Sequence, residues 1–265
     1  MLPRAHAGWE EDAGIEEVVE IARAADRLGF SHLTCSEHVA VPAEAAEVRG
    51  ARYWDPLATF GFLAAHTERI RLATHVLVLG YHHPLEIAKR YGTLDRICGG
   101  RLILGVGVGS LREEFDLLGA SFDDRGARAD ESLRQLKASF GRQRPEPWPD
   151  MVVDPCGVQT EVPIWIGGRT RRSLRRAVEL ADGWAPFGLS VDGLAAMLRS
   201  VELPAGFEAV LTSERPLDPA GDPDATREEL ERLTDAGATV VNIRVVHNSC
   251  AHFIEQIEAA AQLAS

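Results

Sequence analysis

Apolar residues along this chain of 265 residues recur in two rhythms. In the longer segments they lie three and four positions apart, which predicts amphipathic helices, and in the shorter ones Val, Ile and Leu follow one another, which predicts buried strands. The first helix is predicted near Glu11–Leu28, with Gly29 at the position after its end, where glycine is common. Helical and strand segments alternate along the chain, and this predicts a parallel sheet built from βα units.

The same pattern predicts seven strands and eight helices. The strands are predicted at 31–36, 70–79, 102–108, 163–166, 183–187, 207–211 and 239–245, and the later helices at 55–66, 84–99, 124–140, 170–180, 191–200, 224–236 and 249–263. A further strand before the first helix has only Met1-Leu2-Pro3 available, so we expect it to be short or incomplete. A length of about 33 residues per unit favours a (β/α)8 TIM barrel. An open doubly wound sheet is the alternative.

The Pro-rich segment Gly141–Glu161 shows neither the helical nor the strand pattern of apolar residues. A segment of this length outside regular structure is typical of a lid or a flap. It is also the strongest candidate for a domain boundary, but the alternation of strands and helices resumes after it. We therefore predict one domain over residues 1–265.

The chain carries a formal charge of −12. This charge argues against a partner that is a nucleic acid or an anionic lipid surface. The cysteines, Cys35, Cys98, Cys156 and Cys250, form no C-x-x-C pair, so we expect reduced thiols rather than a zinc site or disulfides. No apolar run approaches the roughly 18 residues of a membrane span, and the first ten residues lack the apolar core of a signal peptide. These features favour a cytoplasmic protein.

Polar groups at the carboxyl ends of barrel strands are expected to lie at the active face. Glu37 and His38 follow the first predicted strand, and a His at that place suits an acid or base near neutral pH. A solvated loop pair is the alternative. His75 interrupts the apolar strand 70–79, which indicates either a bulge that turns it toward a pocket or a core His bonded to a backbone carbonyl.

Two glycine-rich turns follow later strands. The run Gly105–Gly109 permits close approach of a ligand or of another backbone, but Ser110 stands where a dinucleotide-binding fingerprint needs glycine. Gly167, Gly168 and Arg169 end a strand directly before a helix, whose free N–H groups bind phosphate readily. This turn is the preferred anion site. A plain βα turn with surface arginines is the alternative.

The histidine pair His82-His83 is the strongest candidate for a metal site. Adjacent residues rarely ligate one ion on regular structure, and neither H-x-H nor H-E-x-x-H occurs in the chain. We therefore expect no metal, which argues against the alternative of a metal-dependent barrel hydrolase.

Several segments resemble the luciferase-like monooxygenase family. The run TLDRICGGRLILGVGVG at 93–109 is similar to the family segment T-L-D-x-[LI]-S-x-G-R-x-x-L-G-x-G-x-G. Further matching segments are ADRLGF at 25–30, EHV at 37–39, EEF at 113–115, IWIGG at 164–168 and ADGW at 181–184. The resemblance covers about residues 14–190, and the rest of the chain matches only in its β/α pattern.

This resemblance implies a (β/α)8 barrel that carries reduced flavin mononucleotide (FMN) or the deazaflavin coenzyme F420 at its C-terminal mouth. The run Ser36-Glu37-His38 looks like that of the F420-dependent branch. In that branch, His38 is expected to act as an acid or base beside the reactive carbon, and Glu37 to contact the ring or its ribityl chain. The family often has a non-prolyl cis peptide in a bulge of the strand that corresponds to 70–79. This peptide maps onto His75-Val76.

The resemblance also implies a set of cofactor contacts. Gly107, Val108 and Gly109 are expected to line the ring. The turn of Gly167, Gly168 and Arg169 is expected to hold the phosphate, with Arg175 or Arg176 as a helper. The residues assigned to cofactor binding in this way are Thr74, His75, Val76, Gly107, Val108, Gly109, Gly167, Gly168, Arg169 and Arg176.

We therefore predict a cytoplasmic oxidoreductase that uses F420 and a small organic substrate, and that forms a homodimer as family members commonly do. Sugar-phosphate dehydrogenases of this branch have Glu where Ser110 stands and Trp where Pro42 stands, so a sugar phosphate is not the expected substrate. An FMN-dependent monooxygenase is the nearest alternative. A non-catalytic protein that binds the cofactor is the alternative from another class.

Overall fold

A computed structural model describes residues 8–263 and shows an α/β fold with a curled parallel sheet. The strands follow one another around the sheet in chain order, with helices packed on the outer face. This confirms the predicted barrel-type α/β architecture. The predicted short first strand at Met1-Leu2-Pro3 lies outside the described residues.

The strands and helices agree with the predicted alternation. The strands are β1 (His32–Cys35), β2 (Arg71–Thr74), β3 (Leu77–Val78), β4 (Leu102–Gly107), β5 (Ile164–Gly167), β6 (Gly183–Ala185), β7 (Glu208–Leu211) and β8 (Val240–Val241). The helices are α1 (Ile15–Arg27), α2 (Ala43–Arg49), α3 (Pro56–Leu63), α4 (Pro84–Ile97), α5 (Arg112–Leu117), α6 (Arg125–Lys137), α7 (Arg171–Leu180), α8 (Val191–Leu198), α9 (Pro223–Asp235) and α10 (Cys250–Leu263). Short 3-10 turns occupy Gly8–Glu11 and Leu79–Tyr81.

The sheet runs from β1 to β8, and within residues 8–263 these two end strands do not pair with each other. The helices around it come together at that place. Helix α1 contacts α10, and Arg27 pairs with Glu258 while the Cys250 thiol lies 3.8 Å from the carbonyl of Glu17. None of the described helices has the length and apolar character needed to span a membrane.

The predicted strand 70–79 is divided into β2 and β3. Leu72 and Ala73 pair with Leu102 and Ile103, whereas Leu77 pairs with Val106. From Ala73 to Leu77 the chain advances by four residues, whereas the paired part of β4, from Ile103 to Val106, advances by three. The additional residue defines a β-bulge. The peptide bond between His75 and Val76 in this bulge is cis, as the resemblance predicts.

Two helices were absent from the sequence prediction. Helix α2 is Ala-rich and has little apolar periodicity, and α5 has six residues. Segments this short give too few repeats for a helical rhythm to be recognised. The strand predicted at 239–245 is also shorter in the structure, where β8 is Val240–Val241 and Val245 forms an isolated bridge with Leu217.

Two apolar clusters form the core. The larger one lies between the sheet and the helices. The smaller one fills the inside of the curled sheet with Ala73, Ile103, Trp165, Ala185 and Val210. Smaller apolar residues surround the Trp165 indole in this layer, so the inside of the sheet is packed below the carboxyl ends of the strands, where barrel sites are built.

The Pro-rich segment between α6 and β5 contains no helix or strand, as predicted. It is tied to α4 by the buried carboxylate of Asp95, which accepts hydrogen bonds from the backbone N–H groups of Val158 and Gln159 at 2.8 and 2.9 Å. The side-chain amide of Gln159 donates to the same carboxylate at 2.7 Å. The end of the segment is therefore fixed against the helical layer. The single-domain organisation stays a prediction.

Candidate active site

A cavity of about 720 Å³ opens at the carboxyl ends of the strands. β3 continues β2, so the sheet has seven strand positions, and residues at or after the end of each one contribute to the cavity wall. The volume lies within the range of about 300–1,000 Å³ that is usual for small-molecule sites. Its position is the one at which the active sites of α/β barrels are built.

The cavity brings together nine of the twelve residues that the sequence singled out. They come from four separate parts of the chain. They are Glu37, His38, His75, Val76, Gly107, Val108, Gly109, Gly167 and Gly168.

The other three predicted residues do not line the cavity. The buried hydroxyl of Thr74 donates to the carbonyl of Gly105 at 2.7 Å. The buried guanidinium of Arg176 pairs with Asp130 and donates to a backbone carbonyl of α6 at 2.9 Å. The side chains of Thr74 and Arg176 are therefore engaged in the barrel wall, outside the cavity lining. Arg169 is exposed, and its guanidinium lies beside Gly188 at the cavity rim.

His38 is held in place by the carboxylate of Glu114 from α5. Its Nδ1 lies 2.9 Å from Glu114 Oε2, and its ring packs against Tyr53 with a centroid distance of 4.4 Å. Nε2 of His38 has no hydrogen-bond partner among the described residues. Because His38 lines the cavity, its second nitrogen is the one available to a ligand.

Glu37 is buried and points toward the bulged strand. Its Oε2 accepts a hydrogen bond from the backbone N–H of Val78 at 2.7 Å, and its Oε1 lies 2.7 Å from Nε2 of His82. Glu37 therefore links the end of β1 to β3 and to the turn that follows. It supports the cavity wall at the point where the sheet departs from regular pairing.

The glycines of β4 and β5 make room for Val76. A Cβ on Gly107 would lie 2.7 Å from Val76 Cγ2, and a Cβ on Gly167 would lie 2.5 Å from Val76 Cγ1. Any side chain at either glycine would displace this valine. Glycine is therefore required at both positions so that Val76 can form the floor of the cavity.

The ends of β7 and β8 supply a polar wall. Thr212, Asn242 and Arg244 all line the cavity. The Arg244 guanidinium donates to the carbonyls of Ser213 and Glu214, both at 2.8 Å, and so joins the two strand ends. The hydroxyl oxygen of Thr212 is buried and has no partner within residues 8–263, so it can bind a ligand.

Sequence reasoning gave no role to these wall residues or to Glu114, although Glu114 lies in the EEF segment that resembles the family. Thr212 and Asn242 follow or interrupt predicted strands, so the rule that located His38 applies equally to them. Glu114 gave no such signal, because it lies on a short helix 76 positions from His38. Only the folded chain brings the two together.

Tyr81 shares the Glu114 carboxylate with His38. Its hydroxyl donates to Glu114 Oε2 at 2.9 Å. Burial, the hydrogen bond to Glu114, and the nearby charges of Glu114 and Glu37 raise the pKa of Tyr81 above its ordinary value. Tyr81 therefore stays a hydrogen-bond donor at neutral pH. The described residues contain no group of three or more His, Cys, Asp or Glu that could hold a metal ion.

The sequence profile of the luciferase-like monooxygenase family matches residues 1–264. The chain therefore belongs to the luciferase-like monooxygenase family, which consists of oxidoreductase enzymes. A similar protein of uncharacterized function from Mycobacterium tuberculosis is 29% identical over 247 residues, which cover 86% of this chain and 85% of that protein.

Solved structures show the same fold at low sequence identity. The monooxygenase RslO1 from Streptomyces bottropensis aligns with a TM-score of 0.78 and 20% identity, over 94% of this chain and 92% of that one. An F420-dependent secondary alcohol dehydrogenase aligns with a TM-score of 0.72 and 16% identity, over 93% and 95%. The oxygenating part of a diketocamphane monooxygenase from Pseudomonas putida, in complex with FMN, gives 0.70 and 15%, over 98% and 94%. The fold is thus one that hosts both F420 and FMN enzymes.

Proposed function

We propose that this protein is an oxidoreductase that binds coenzyme F420 in the cavity and transfers hydride to or from a small organic substrate. The proposal rests on one observation: a single cavity is lined by His38, by Val76 and by the Gly167-Gly168 turn. Val76 packs against Gly107 and Gly167, which leave room for it. The run Ser36-Glu37-His38, which looks like that of the F420-dependent branch, favours the deazaflavin.

The residues present fit a planar cofactor with a phosphate tail. Gly107 and Gly167 carry no side chain of their own at the cavity floor and leave room there for Val76. The buried Thr212 hydroxyl has hydrogen-bonding capacity that the protein does not use. Gly168 has a φ of +134°, and it opens the turn before α7 where backbone N–H groups suit a phosphate.

When bound, the deazaflavin supplies a carbon that accepts or releases hydride. The chain provides binding, orientation and a proton relay around that chemistry. Val76, Gly107 and Gly167 hold the ring, Gly168 and Arg169 hold the phosphate, and Glu37 supports the strand on which Val76 lies. His38 exchanges a proton with the substrate oxygen through Nε2, since its other nitrogen is held by Glu114.

The walls of the cavity favour a small, partly apolar substrate. Phe187, Leu189 and Leu194 provide apolar surface on one side. His38 and Tyr53 lie on the side formed by the loop after β1. A substrate with a carbonyl or secondary alcohol next to an apolar group matches this combination of surfaces.

An FMN-dependent monooxygenase is the second candidate. It is favoured by the similarity to a solved monooxygenase in complex with FMN and by the family to which the chain belongs. The two candidates differ in the cofactor that the cavity retains. Equilibrium titration of the purified protein with F420 and with FMN, followed by fluorescence, separates them. Tighter binding of F420 supports the proposal, and tighter binding of FMN overturns it.

The acid/base role of His38 is tested by His38→Ala. We expect kcat to fall by roughly 10²–10⁴-fold, the usual contribution of a positioned acid or base, with little change in the dissociation constant of the cofactor. Steady-state kinetics on a panel of carbonyl compounds and secondary alcohols, together with cofactor titration, measure both. A variant that loses cofactor binding but keeps kcat would contradict the role.

A protein that only binds the cofactor would give a different result. It would retain F420 but oxidise or reduce none of the panel, and His38→Ala would then leave the measurements unchanged.

A further inference from the structure

We propose that Glu114 is a positioning residue that fixes His38 in one tautomer and thereby sets which ring nitrogen exchanges protons in the cavity. The catalytic consequence rests on the proposed function. The tautomer itself is a property of the free protein and is tested without any cofactor.

Three donors and Nδ1 of His38 converge on the Glu114 carboxylate, which is 2% exposed. Oε1 accepts from the backbone N–H groups of Val39 and Ala40, at 2.9 and 3.3 Å. Oε2 accepts from the Tyr81 hydroxyl at 2.9 Å and lies 2.9 Å from Nδ1 of His38. Two backbone N–H groups and one hydroxyl thus donate to this group, which matches the acceptor-only chemistry of a carboxylate.

The tautomer of His38 follows from this arrangement. An ionised carboxylate only accepts hydrogen bonds, so Nδ1 must carry the hydrogen that lies between the two groups. A neutral imidazole has one protonated nitrogen, and Nε2 is therefore left with a lone pair. Nε2 has no hydrogen-bond partner among the described residues and belongs to a side chain that lines the cavity.

Glu114 also fixes the backbone that carries His38. Val39 and Ala40 directly follow the histidine, and both donate to the same carboxylate. One side chain from α5 thus holds the ring and the loop after β1 together. The Tyr53 ring packs on the His38 ring from the other side, at a centroid distance of 4.4 Å.

The proton balance is simple. When Nε2 takes a proton from a substrate hydroxyl, His38 becomes an imidazolium and its Nδ1–H remains on Glu114. The negative charge of Glu114 stabilises that cation. In the reverse direction, the same Nε2 proton passes to the substrate oxygen, and His38 returns to the neutral tautomer.

Nitrogen-15 NMR of the histidine rings in the free protein tests the tautomer, with His38→Asn to assign the signals. We expect wild-type His38 to be protonated at Nδ1 above neutral pH. In Glu114→Gln, the amide oxygen satisfies Val39 and Ala40, and the NH2 group then donates to His38 Nδ1. We therefore expect the proton to move to Nε2.

Glu113→Gln is the matched control, because Glu113 is the preceding residue of the same helix and is exposed. It should leave the tautomer and the kinetics as in wild type. Glu114→Asp keeps the carboxylate and should restore the Nδ1–H tautomer, at least in part.

Kinetics give the second readout. In Glu114→Gln we expect kcat to fall by roughly 10- to 100-fold, within the contribution of a positioned base, while KM changes little. The limb of the pH profile that belongs to His38 should shift, whereas a loss of folded protein would lower the whole profile evenly. The other titratable groups that face the pair are Tyr53, Tyr81 and Glu37, with His82 behind Glu37.

Three outcomes are distinguishable. A wild-type His38 that carries its proton on Nε2, or a Glu114→Gln variant with an unchanged tautomer, overturns the inference. The expected tautomers together with reduced kcat in Glu114→Gln support it. The expected tautomers in a protein whose turnover survives His38→Ala would support the positioning by Glu114 and contradict the proposed function. If Glu114→Gln does not fold, the wild-type and Glu114→Asp spectra still decide the question.

Discussion

At the scale of single residues, the site depends on positions that lack a side chain. Gly107 and Gly167 lie under the two methyl groups of Val76, which would collide with any Cβ added there. The requirement is steric and local. It explains why glycine occurs at the inward-facing end of β4 and again at the end of β5.

Gly107→Ala should therefore strain the cavity floor. We expect a loss of about 1–3 kcal/mol in the free energy of unfolding, the usual cost of overpacking. Urea denaturation followed by circular dichroism measures it. In a Val76→Ala background, the same change should cost less, because the colliding methyl groups are gone. An equal cost in both backgrounds would contradict the contact.

Gly61→Ala is the control for this experiment. Gly61 lies within α3, and a Cβ there would meet nothing within 4 Å. We expect it to raise stability by roughly 0.5–1 kcal/mol, because alanine is the better helix former.

His32 makes the stability of the fold depend on pH. Its ring packs edge-on against Trp165 inside the sheet, at a centroid distance of 5.1 Å. Burial, with smaller contributions from His75 and Arg71, lowers the pKa of His32 to about 3 from an ordinary value of 6.5. Between these two values, the unfolded chain binds a proton that the folded chain does not. Stability is therefore full above pH 6.5 and falls as the pH decreases below it.

Comparison with His32→Gln isolates this effect. The difference in unfolding free energy between wild type and variant should change by at most about 1.4 kcal/mol per pH unit, in favour of the variant, as the pH falls from 6 to 5. Urea denaturation at each pH provides the values. A difference that does not vary with pH would show that His32 protonates in the folded protein.

At the scale of the elements, the end of the Pro-rich segment is held by a buried side chain of α4, while Lys89 and Arg96 of the same helix donate to carbonyls earlier in the segment. Asp95 on α4 is fully buried and receives three hydrogen bonds from Val158 and Gln159. The segment has no strand or helix of its own, so its order depends on such tertiary contacts.

Asp95→Asn should loosen the end of this segment. An amide offers one acceptor oxygen and directs an NH2 group at donors that need an acceptor, which costs about 1–3 kcal/mol. We expect faster cleavage within residues 141–161 in limited proteolysis, with fragments identified by mass spectrometry. Asp150→Asn, an exposed change in the same segment, serves as the control and should be cleaved at the wild-type rate.

Helices and strands with a clear apolar periodicity were predictable from the sequence. Features that depend on contacts between distant parts of the chain were not. The long helices α1, α4 and α10 and the apolar β4 appear close to their predicted positions, because periodicity and length determine them. The interior break of the strand 70–79 was indicated by His75 and by the family resemblance. Apolar periodicity did not reveal it, because β2 and β3 are both apolar.

The candidate site also contains residues that chain position predicted and residues that only tertiary contacts bring in. His38 and Gly168 follow strands, so chain position predicted that they would lie at one face. The roles of Glu114 and Arg176 depend on partners more than 40 positions away. Arginine near a helix start indicated a phosphate, but in the fold Arg176 is already paired with Asp130.

At the scale of the whole molecule, the cavity draws its wall from each described strand position, so a ligand should stabilise the complete fold. At a concentration 100 times its dissociation constant, F420 should add about 2.7 kcal/mol to the free energy of unfolding. Thermal unfolding at increasing F420 concentrations measures this. Arg169→Ala, which removes a charge beside the rim, should require more F420 for the same shift. An identical concentration dependence would contradict the phosphate contact.

The homodimer also stays a prediction at this scale. Sedimentation equilibrium should give twice the chain mass of 28.9 kDa. A single-chain mass at micromolar concentration would contradict it.

The extra residue between β2 and β3 determines how the chain tolerates changes in length. Before the bulge, Ala73 faces inward, and after it Leu77 packs among the helices while Val78 lines the cavity. Removal of one residue here would pair three steps with the three of β4, so the bulge that places Val76 at the cavity floor would be lost even though Leu77 and Val78 kept their faces. Shortening or lengthening the exposed turn at 119–124 by one residue would leave the bulge intact. Homologous enzymes with this bulge should therefore vary in length at surface turns and keep the spacing between Ala73 and Val78 unchanged.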